Sequence, residues 1–160
     1  MNHSAFSVSI DQRYFEDYIP GSIQVFGTAV VAENEIVEFA RRYDPQEFHI
    51  DPVAAKQTAF GGLIASGWHT AAMMMRLLVD NYLSSVASLG SPGVDELRWT
   101  KPVRPGDTLS VRVTVLDATR SRSKPDRGII KSSVEVLNQN DEIVMTMRGV
   151  NLMLCREKAL

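Results

Sequence analysis

Cysteine is nearly absent from this sequence, since Cys155 is the only one in 160 residues. A single cysteine excludes a disulfide framework or a multi-cysteine metal site within one chain. Long apolar runs are absent too, and none approaches the roughly 20 residues that a membrane-spanning helix needs. The first residues lack the basic and apolar regions of a signal peptide. We therefore expect a cytoplasmic protein with no membrane partner.

The sequence also has no excess of charge of either sign. Its 17 lysine and arginine residues face 19 aspartate and glutamate residues, which gives a formal net charge of −2. This balance argues against nucleic acid as a partner, because a nucleic-acid-binding surface is basic. The chain length suits one domain with one hydrophobic core. We predict a single domain over residues 1–160, with residues 1–20 as a loosely packed lead-in segment.

Helical periodicity dominates the first half of the chain. Residues 33–43 place their apolar side chains on one helical face, which predicts an amphipathic helix. A second, mostly apolar helix is predicted from Gly67 to about Ser84. The apolar arc of this central helix is so wide that we expect it to be buried on most of its sides.

Period-two alternation dominates the second half of the chain. Strands are predicted over residues 96–103, 109–115, 129–138 and 142–154. An earlier strand over residues 22–31 contains Gly27, which predicts a bulge. Consecutive strands with short connections favour an antiparallel sheet. We therefore predict an α+β fold in which this sheet curls around the central helix.

An acid and an imidazole, Asp44 and His49, lie five residues apart between the two helices. Proline disfavours helical backbone in the preceding residue, so Asp44-Pro45 predicts the end of the first helix. Asp51-Pro52 predicts the N-cap and first residue of a short helix that runs to about residue 57. His49 is thus fixed from both sides. The spacing alone leaves two interpretations open: a pair that handles water, or a structural turn beside a core histidine.

A resemblance to a known family lies in residues 43–70, YDPQEFHIDPVAAKQTAFGGLIASGWHT, in the helix end ARRYDP and in the later segment RWTKPVRPGDTL. In this order these segments resemble the MaoC-like hydratase/dehydratase family of the hot-dog fold, which includes the (R)-specific enoyl-CoA hydratases. The resemblance covers most of the chain. It implies a curved antiparallel sheet wrapped around one long buried helix.

Two departures from the family pattern concern the range of substrates. Those enzymes often have Asn-Pro two residues after the aspartate, where this chain has Gln46-Glu47. They often have a methionine after the helix-opening glycine, where this chain has Trp68. A buried indole at that position takes up volume, so we expect a preference for short or compact acyl groups.

The resemblance implies the hydration of an enoyl-CoA thioester to a (R)-3-hydroxyacyl-CoA, or the reverse dehydration. Asp44 and His49 would hold the attacking water, with Asp44 as the preferred base and His49 orienting the water and sharing the proton. The coenzyme A thioester is the substrate, and no cofactor or metal is expected. His49-x-Asp51 alone offers too few ligands for a metal site.

The oxyanion and substrate-binding group is expected around the start of the central helix and comprises Gly61, Gly62, Ser66, Gly67 and Trp68. The backbone N–H groups of the double glycine would receive the thioester oxygen. The helix N-terminus at Ser66-Gly67 adds a favourable dipole. For Ser66 itself a helix N-cap is the favoured interpretation, with a supporting contact to the site as the alternative.

Several further polar residues have two interpretations each. Contacts to the phosphates of coenzyme A, or plain solvated positions, are open for Lys101, Arg104, Arg122, Lys124 and Arg127. The last three lie in a basic segment, residues 119–131, that is expected to be a hairpin tip. His69 is interpreted as a polar helix position beside Arg76 and Asp80 rather than as a site residue.

Three functions remain open: an acyl-CoA hydratase or dehydratase, a hot-dog acyl-CoA thioesterase, and a non-catalytic acyl-CoA-binding subunit of a dehydratase assembly. The intact pair of Asp44 and His49 favours the first, because thioester hydrolysis needs no such pair and a binding subunit has no use for it. Members of the family that this chain resembles pair their sheets edge to edge. We therefore expect at least a homodimer, with the site at the subunit boundary.

Overall fold

A computed structural model describes residues 6–156, which form a five-stranded antiparallel sheet and four α-helices. The strands are β1 (Ile23–Val30), β2 (Gly93–Trp99), β3 (Thr108–Arg120), β4 (Arg127–Leu137) and β5 (Ile143–Leu154). The helices are α1 (Glu33–Tyr43), α2 (Glu47–Ile50), α3 (Pro52–Ala55) and α4 (Gly67–Asn81). The predicted order of one strand, the helices and four further strands is confirmed.

The strand order in the sheet is β1-β3-β4-β5-β2, so β1 and β2 are the edges. Strand β2 ends at Trp99, four residues before the end of the predicted strand. Just beyond it, Thr100 and Lys101 both donate their backbone N–H to the carbonyl of Val144, at 2.9 and 3.4 Å. The following residue, Pro102, has no N–H to donate, so the ladder cannot continue.

The core lies between the sheet and α4, and β1 bends where it passes this helix. On β3 the inward positions alternate regularly and are all buried: Leu109, Val111, Val113 and Val115. On β1, Gly27 has a φ of +83°, and a Cβ there would lie 2.7 Å from Cδ2 of Leu77 on α4. The register with β3 shifts at this point. The predicted bulge is therefore confirmed, as is a sheet wrapped around one long helix.

Helix α4 keeps one apolar face uncovered, so the expected burial on most of its sides is wrong for a single chain. The side facing the core carries Met74, Leu77 and Leu78. The uncovered stripe follows the i, i+4, i+7, i+11 spacing of one helical face and consists of Trp68, Ala72, Met75 and Val79. Within residues 6–156 no helix is long and apolar enough to cross a membrane.

The expected loose packing of the lead-in segment is wrong for its described part, residues 6–20; residues 1–5 lie outside the described range. Tyr18 is 1% exposed and Arg13 is 5% exposed. The Arg13 guanidinium donates to the carbonyls of Asn81 and Tyr82, at 3.1 and 2.8 Å. The Tyr18 hydroxyl donates to the same carbonyl of Tyr82 at 2.9 Å. These donors satisfy the last carbonyls of α4 and place a positive charge at the negative end of its dipole.

The lead-in segment also packs through Phe15, which lies over Gly128 of β4. A Cβ at Gly128 would lie 2.1 Å from the Phe15 ring. Gly128→Ala should therefore lower the free energy of unfolding by about 1–3 kcal/mol, the usual cost of overpacking. Urea denaturation followed by circular dichroism measures this change.

The matched control is Gly149→Ala on β5, where a Cβ would meet only the flexible end of Met147, at 3.2 Å. The free energy of unfolding of this variant should stay close to that of the unsubstituted protein. Equal midpoints for the two alanine variants would contradict the packing of Phe15 against β4.

Candidate active site

Asp44 and Ser66 join the end of α1 to the beginning of α4. Asp44 is the C-cap of α1, and its N–H donates to the carbonyl of Ala40 at 2.8 Å. Its Oδ2 accepts a hydrogen bond from the Ser66 hydroxyl at 2.7 Å. The Ser66 oxygen also accepts from the N–H of Trp68 at 3.2 Å, so Ser66 is the N-cap of α4. Both interpretations of Ser66 therefore apply at once.

His49 lies in the one-turn helix α2 with its ring buried. Its Nδ1 is 2.8 Å from the carbonyl oxygen of Ile64. Because a carbonyl only accepts, Nδ1 carries a proton, and in the neutral form of the ring Nε2 presents its lone pair. Nε2 is 3.4 Å from Oδ2 of Asp44. In that form two hydrogen-bond acceptors, Oδ2 of Asp44 and Nε2 of His49, converge. The fold thus brings together the two side chains that the sequence paired.

The Asp44 carboxylate receives hydrogen bonds on both of its oxygens. The side-chain amide of Gln46 donates to Oδ1 at 2.7 Å, and Ser66 donates to Oδ2. Gln46 first and Ser66 second hold the pKa of Asp44 below its ordinary value, with His49 as a smaller cause. The carboxylate therefore stays ionised further into acid than a free aspartate does.

A cavity of about 430 Å³ opens beside the pair. Its polar residues include Asp44, Gln46, His49, Thr70, Thr100 and Lys101, and its aromatic wall consists of Phe48, Phe60, Trp68 and Trp99. Open clefts that are mostly apolar, with a few convergent polar groups, are typical of small-molecule sites.

Trp99 lines the cavity and was not predicted from the sequence. Its indole N–H donates to the carbonyl of Gly67 at 2.8 Å, and its ring meets Trp68 edge to face with centroids 5.2 Å apart. A Cβ on residue 67 would lie 2.4 Å from this indole, which explains the glycine there. The sequence presents Trp99 only as one alternating position of a strand, and nothing local connects it to α4.

The expected oxyanion position at Gly61-Gly62 requires a correction. The N–H of Gly61 already donates to the carbonyl of Thr58 at 3.0 Å, within a turn where Gly61 has a φ of +65°. Neither glycine lines the cavity, whereas Gly67 does. Gly67 is the first residue of α4, where an N–H has no acceptor within the helix. The amide of Gly67 is therefore a better candidate for the oxyanion contact than the amides of the double glycine.

The expected burial of the Trp68 indole is wrong for a single chain. Trp68 is 60% exposed and lies at the mouth of the cavity, because the sheet does not cover that face of α4. Its place in the substrate-binding group stays a prediction that the cavity lining supports.

The five basic candidates for phosphate contacts divide into two groups. Lys101 lines the cavity and pairs with Glu142, and Arg104 donates to the carbonyl of Phe60 at 2.5 Å, so both lie beside the site. The other three, Arg122, Lys124 and Arg127, follow the end of β3 at Arg120. Across the paired strands, Trp99 of β2 lies level with Val111 of β3. The end of β3 at Arg120 is nine residues beyond Val111, which is about 30 Å along the strand. These three residues are therefore far from the cavity of their own chain.

His69 lies on α4 outside the cavity of Asp44, as the sequence favoured, but its side chain is buried. It is 7% exposed and stacks on Phe39 of α1, with ring centroids 4.8 Å apart. It lines a second cleft between α1 and α4, outside the cavity that holds Asp44. Its neighbours in the predicted stripe, Arg76 and Asp80, do form an exposed ion pair, at 2.8 Å.

The spacing of His49 and Asp51 produces no metal-binding cluster in the described structure. Asp51 accepts from the N–H groups of Val53 and Ala54, at 2.8 and 3.0 Å, and so caps α3 as predicted. Between residues 6 and 156 no three histidine, cysteine or acidic side chains come together as ligands.

Comparisons with known proteins point to one family. The sequence profile of the MaoC like domain family matches residues 6–137. The uncharacterized protein YdeM of Bacillus subtilis is 32% identical over 120 residues, which cover 74% of this chain and 84% of that protein.

Solved structures agree with this match. The MaoC-like dehydratase from Rhodospirillum rubrum is 41% identical with a TM-score of 0.84, and the alignment covers 91% of this chain and 99% of that one. The R-hydratase PhaJ1 from Pseudomonas aeruginosa is 26% identical with a TM-score of 0.69, over 91% of this chain and 88% of that one. This chain has the hot-dog fold and belongs to the MaoC-like domain family.

Proposed function

We propose that this protein hydrates an enoyl-CoA thioester to a (R)-3-hydroxyacyl-CoA and catalyses the reverse dehydration. The observation that carries this proposal is the convergence of Asp44 Oδ2 and His49 Nε2, 3.4 Å apart, on one cavity. The membership of the MaoC-like family supports the reaction class, and the similarity to an R-hydratase supports the (R) product.

The reaction adds water across a double bond. One water molecule within reach of both acceptors donates a hydrogen bond to Asp44 and another to His49, which leaves its oxygen lone pair to attack the β-carbon. The water proton moves to Nε2 of His49, and that Nε2–H then delivers a proton to the α-carbon. One water is thereby added, and both side chains return to their starting states.

The hydrogen bonds of the site favour His49 over Asp44 as the proton acceptor, which reverses the expected base. Gln46 and Ser66 make Asp44 a weaker base by lowering its pKa. A neutral imidazole in general binds a proton far more readily than a carboxylate does. Asp44 then has the role of holding the water and stabilising the imidazolium that forms.

Negative charge develops on the thioester oxygen when water attacks the β-carbon. The amide of Gly67 and the positive end of the dipole of α4, a helix of 15 residues, are suited to receive this charge. The proposal therefore places the thioester against the first turn of α4. The pair, the water and this amide supply the groups that the reaction needs, and Lys101 and Arg104 beside the cavity remain candidates for phosphate contacts.

Removing either member of the pair should nearly abolish hydration. Asp44→Asn and His49→Ala should each lower kcat/KM on crotonyl-CoA by about 10²- to 10⁴-fold, because each removes an acceptor for the water. The loss of the enoyl absorbance measures hydration. Circular dichroism checks that the fold is retained, and thiol release is followed in parallel.

Hydration near the wild-type rate by either variant would end the proposed roles. Thiol release without loss of the enoyl group would identify a thioesterase instead. If the wild-type protein binds the thioester and changes neither signal, it is a binding subunit.

We propose further that two chains form a homodimer through β2 and the uncovered stripe of α4. Strand β2 pairs only with β5 in the described chain, and its Val94 is 52% exposed. An open sheet edge that exposes Val94 and Trp99, next to an uncovered apolar helical stripe, is unfavourable in water. Light scattering at micromolar concentration should therefore give about twice the mass of one 17.8 kDa chain.

Val94→Glu should shift this mass toward that of the single chain. The control is Val25→Glu on β1, the opposite edge of the sheet, where Val25 is 49% exposed. It should leave the mass unchanged. A fully active monomer would contradict the proposed assembly.

Trp68 is proposed to limit the length of the acyl group, since it lies at the mouth of the cavity. Trp68→Ala should raise the ratio of the rate on a ten-carbon enoyl-CoA to the rate on a four-carbon one, because it frees space. Val79→Ala, on the same helical stripe but outside the cavity, is the control and should leave the ratio unchanged. An equal slowing on both substrates in Trp68→Ala would assign Trp68 to packing alone.

A further inference from the structure

Gln46 has a central place in the connector between the two members of the pair. Its backbone N–H donates to the carbonyl of Asp44 at 2.7 Å, and its own carbonyl accepts from the N–H of His49 at 2.9 Å. It is also the N-cap residue of α2, which carries His49. The backbone of this one residue therefore links the two functional side chains.

The side chain of Gln46 also contacts the pair. Its amide nitrogen donates to Oδ1 of Asp44 at 2.7 Å, while Oδ2 is held by Ser66 and faces His49. A carboxylate that is held at both oxygens cannot rotate about its last bond without breaking a hydrogen bond. The amide thus fixes which oxygen of Asp44 faces the imidazole.

From this geometry, and resting on the proposed function, we propose that Gln46 is a positioning residue for the pair. Its amide keeps Oδ2 of Asp44 directed at the water and favours the ionised form of the carboxylate. Gln46 acts through Asp44 and is not assigned a contact with the substrate.

Few other charged groups face Asp44. Among the residues that line the cavity, His49 of α2 and Lys101 beyond β2 are the titratable neighbours, and Lys101 is paired with Glu142. On α1 and α4, Arg42 and His69 line the separate cleft between those helices. The hydrogen bonds from Gln46 and Ser66 are accordingly larger influences on Asp44 than any charge.

The direction of the pH effect follows from the charge of Asp44. The amide of Gln46 stabilises the carboxylate and lowers its pKa, so removing the amide raises that pKa. The carboxylate then becomes protonated at higher pH. Because an imidazole in general takes up a proton at higher pH than a carboxylate, the titration of Asp44 itself, and not the acid limb of kcat, reports this change. Because Gln46 is exposed to water, we expect a moderate effect on kcat at neutral pH, roughly three- to tenfold.

Two variants test this proposal. Gln46→Met keeps the length of the side chain without a donor, and Gln46→Glu places a second carboxylate beside Asp44. The control is Gln139→Met, which removes a similar amide-to-carboxylate hydrogen bond, of 3.0 Å to Asp107, outside the cavity. The first measurement is the pH titration of the Asp44 carboxyl carbon by NMR in each protein without substrate. The second is the measurement of kcat and KM on crotonyl-CoA at neutral pH.

The proposal requires the Asp44 titration to move to higher pH in Gln46→Met, further in Gln46→Glu, and not at all in Gln139→Met. It also requires kcat at neutral pH to fall in the two Gln46 variants and to stay unchanged in Gln139→Met. An unmoved Asp44 titration in Gln46→Met would overturn it. A change confined to KM would also overturn it, because Gln46 would then contact the substrate instead. If the wild-type protein does not hydrate crotonyl-CoA, the proposed function fails on its own, and the substrate-free titration still decides whether Gln46 controls Asp44.

Discussion

The hydrogen bond from Ser66 to Asp44 is the interaction on which the site depends. It joins the C-cap of one helix to the N-cap of another, with a donor-to-acceptor distance of 2.7 Å. Through it the carboxylate is fixed relative to the first turn of α4, and therefore relative to the amide of Gly67. The sheet packs against the core face of α4, and the lead-in segment satisfies the last carbonyls at its C-terminal end. Helix α4 is therefore itself held in place. A pair on a surface connector gains a fixed geometry in this way.

Most of the fold was predictable because its signals are local. The alternation on β3, the Asp-Pro end of α1 and the glycine bulge on β1 each depend on neighbouring residues and were all found in the sequence. The strand order was not derivable in this way, since β2 pairs with β5 across more than 40 residues of chain. The packing of Arg13 and Tyr18 against the end of α4 was missed for the same reason.

The site shows the same division. Asp44 and His49 were found because a short connector brings them together, whereas Trp99 reaches Gly67 only through tertiary geometry. The hydrogen bond from Gln46 to Asp44 joins residues two apart, but the sequence does not show which rotamer Gln46 adopts. The sequence favoured the double glycine for the oxyanion contact, because sequence shows where a backbone is unobstructed and does not show that the amide of Gly61 already donates to Thr58.

In the proposed reaction water adds to the β-carbon and the thioester stays intact. The most direct test is the reaction of crotonyl-CoA in water enriched in oxygen-18, with the product analysed by mass spectrometry and chiral separation. We expect (R)-3-hydroxybutyryl-CoA with one heavy oxygen at the hydroxyl group and none at the carbonyl. Heavy oxygen in a free carboxylate, or recovery of unlabelled crotonyl-CoA, would contradict it.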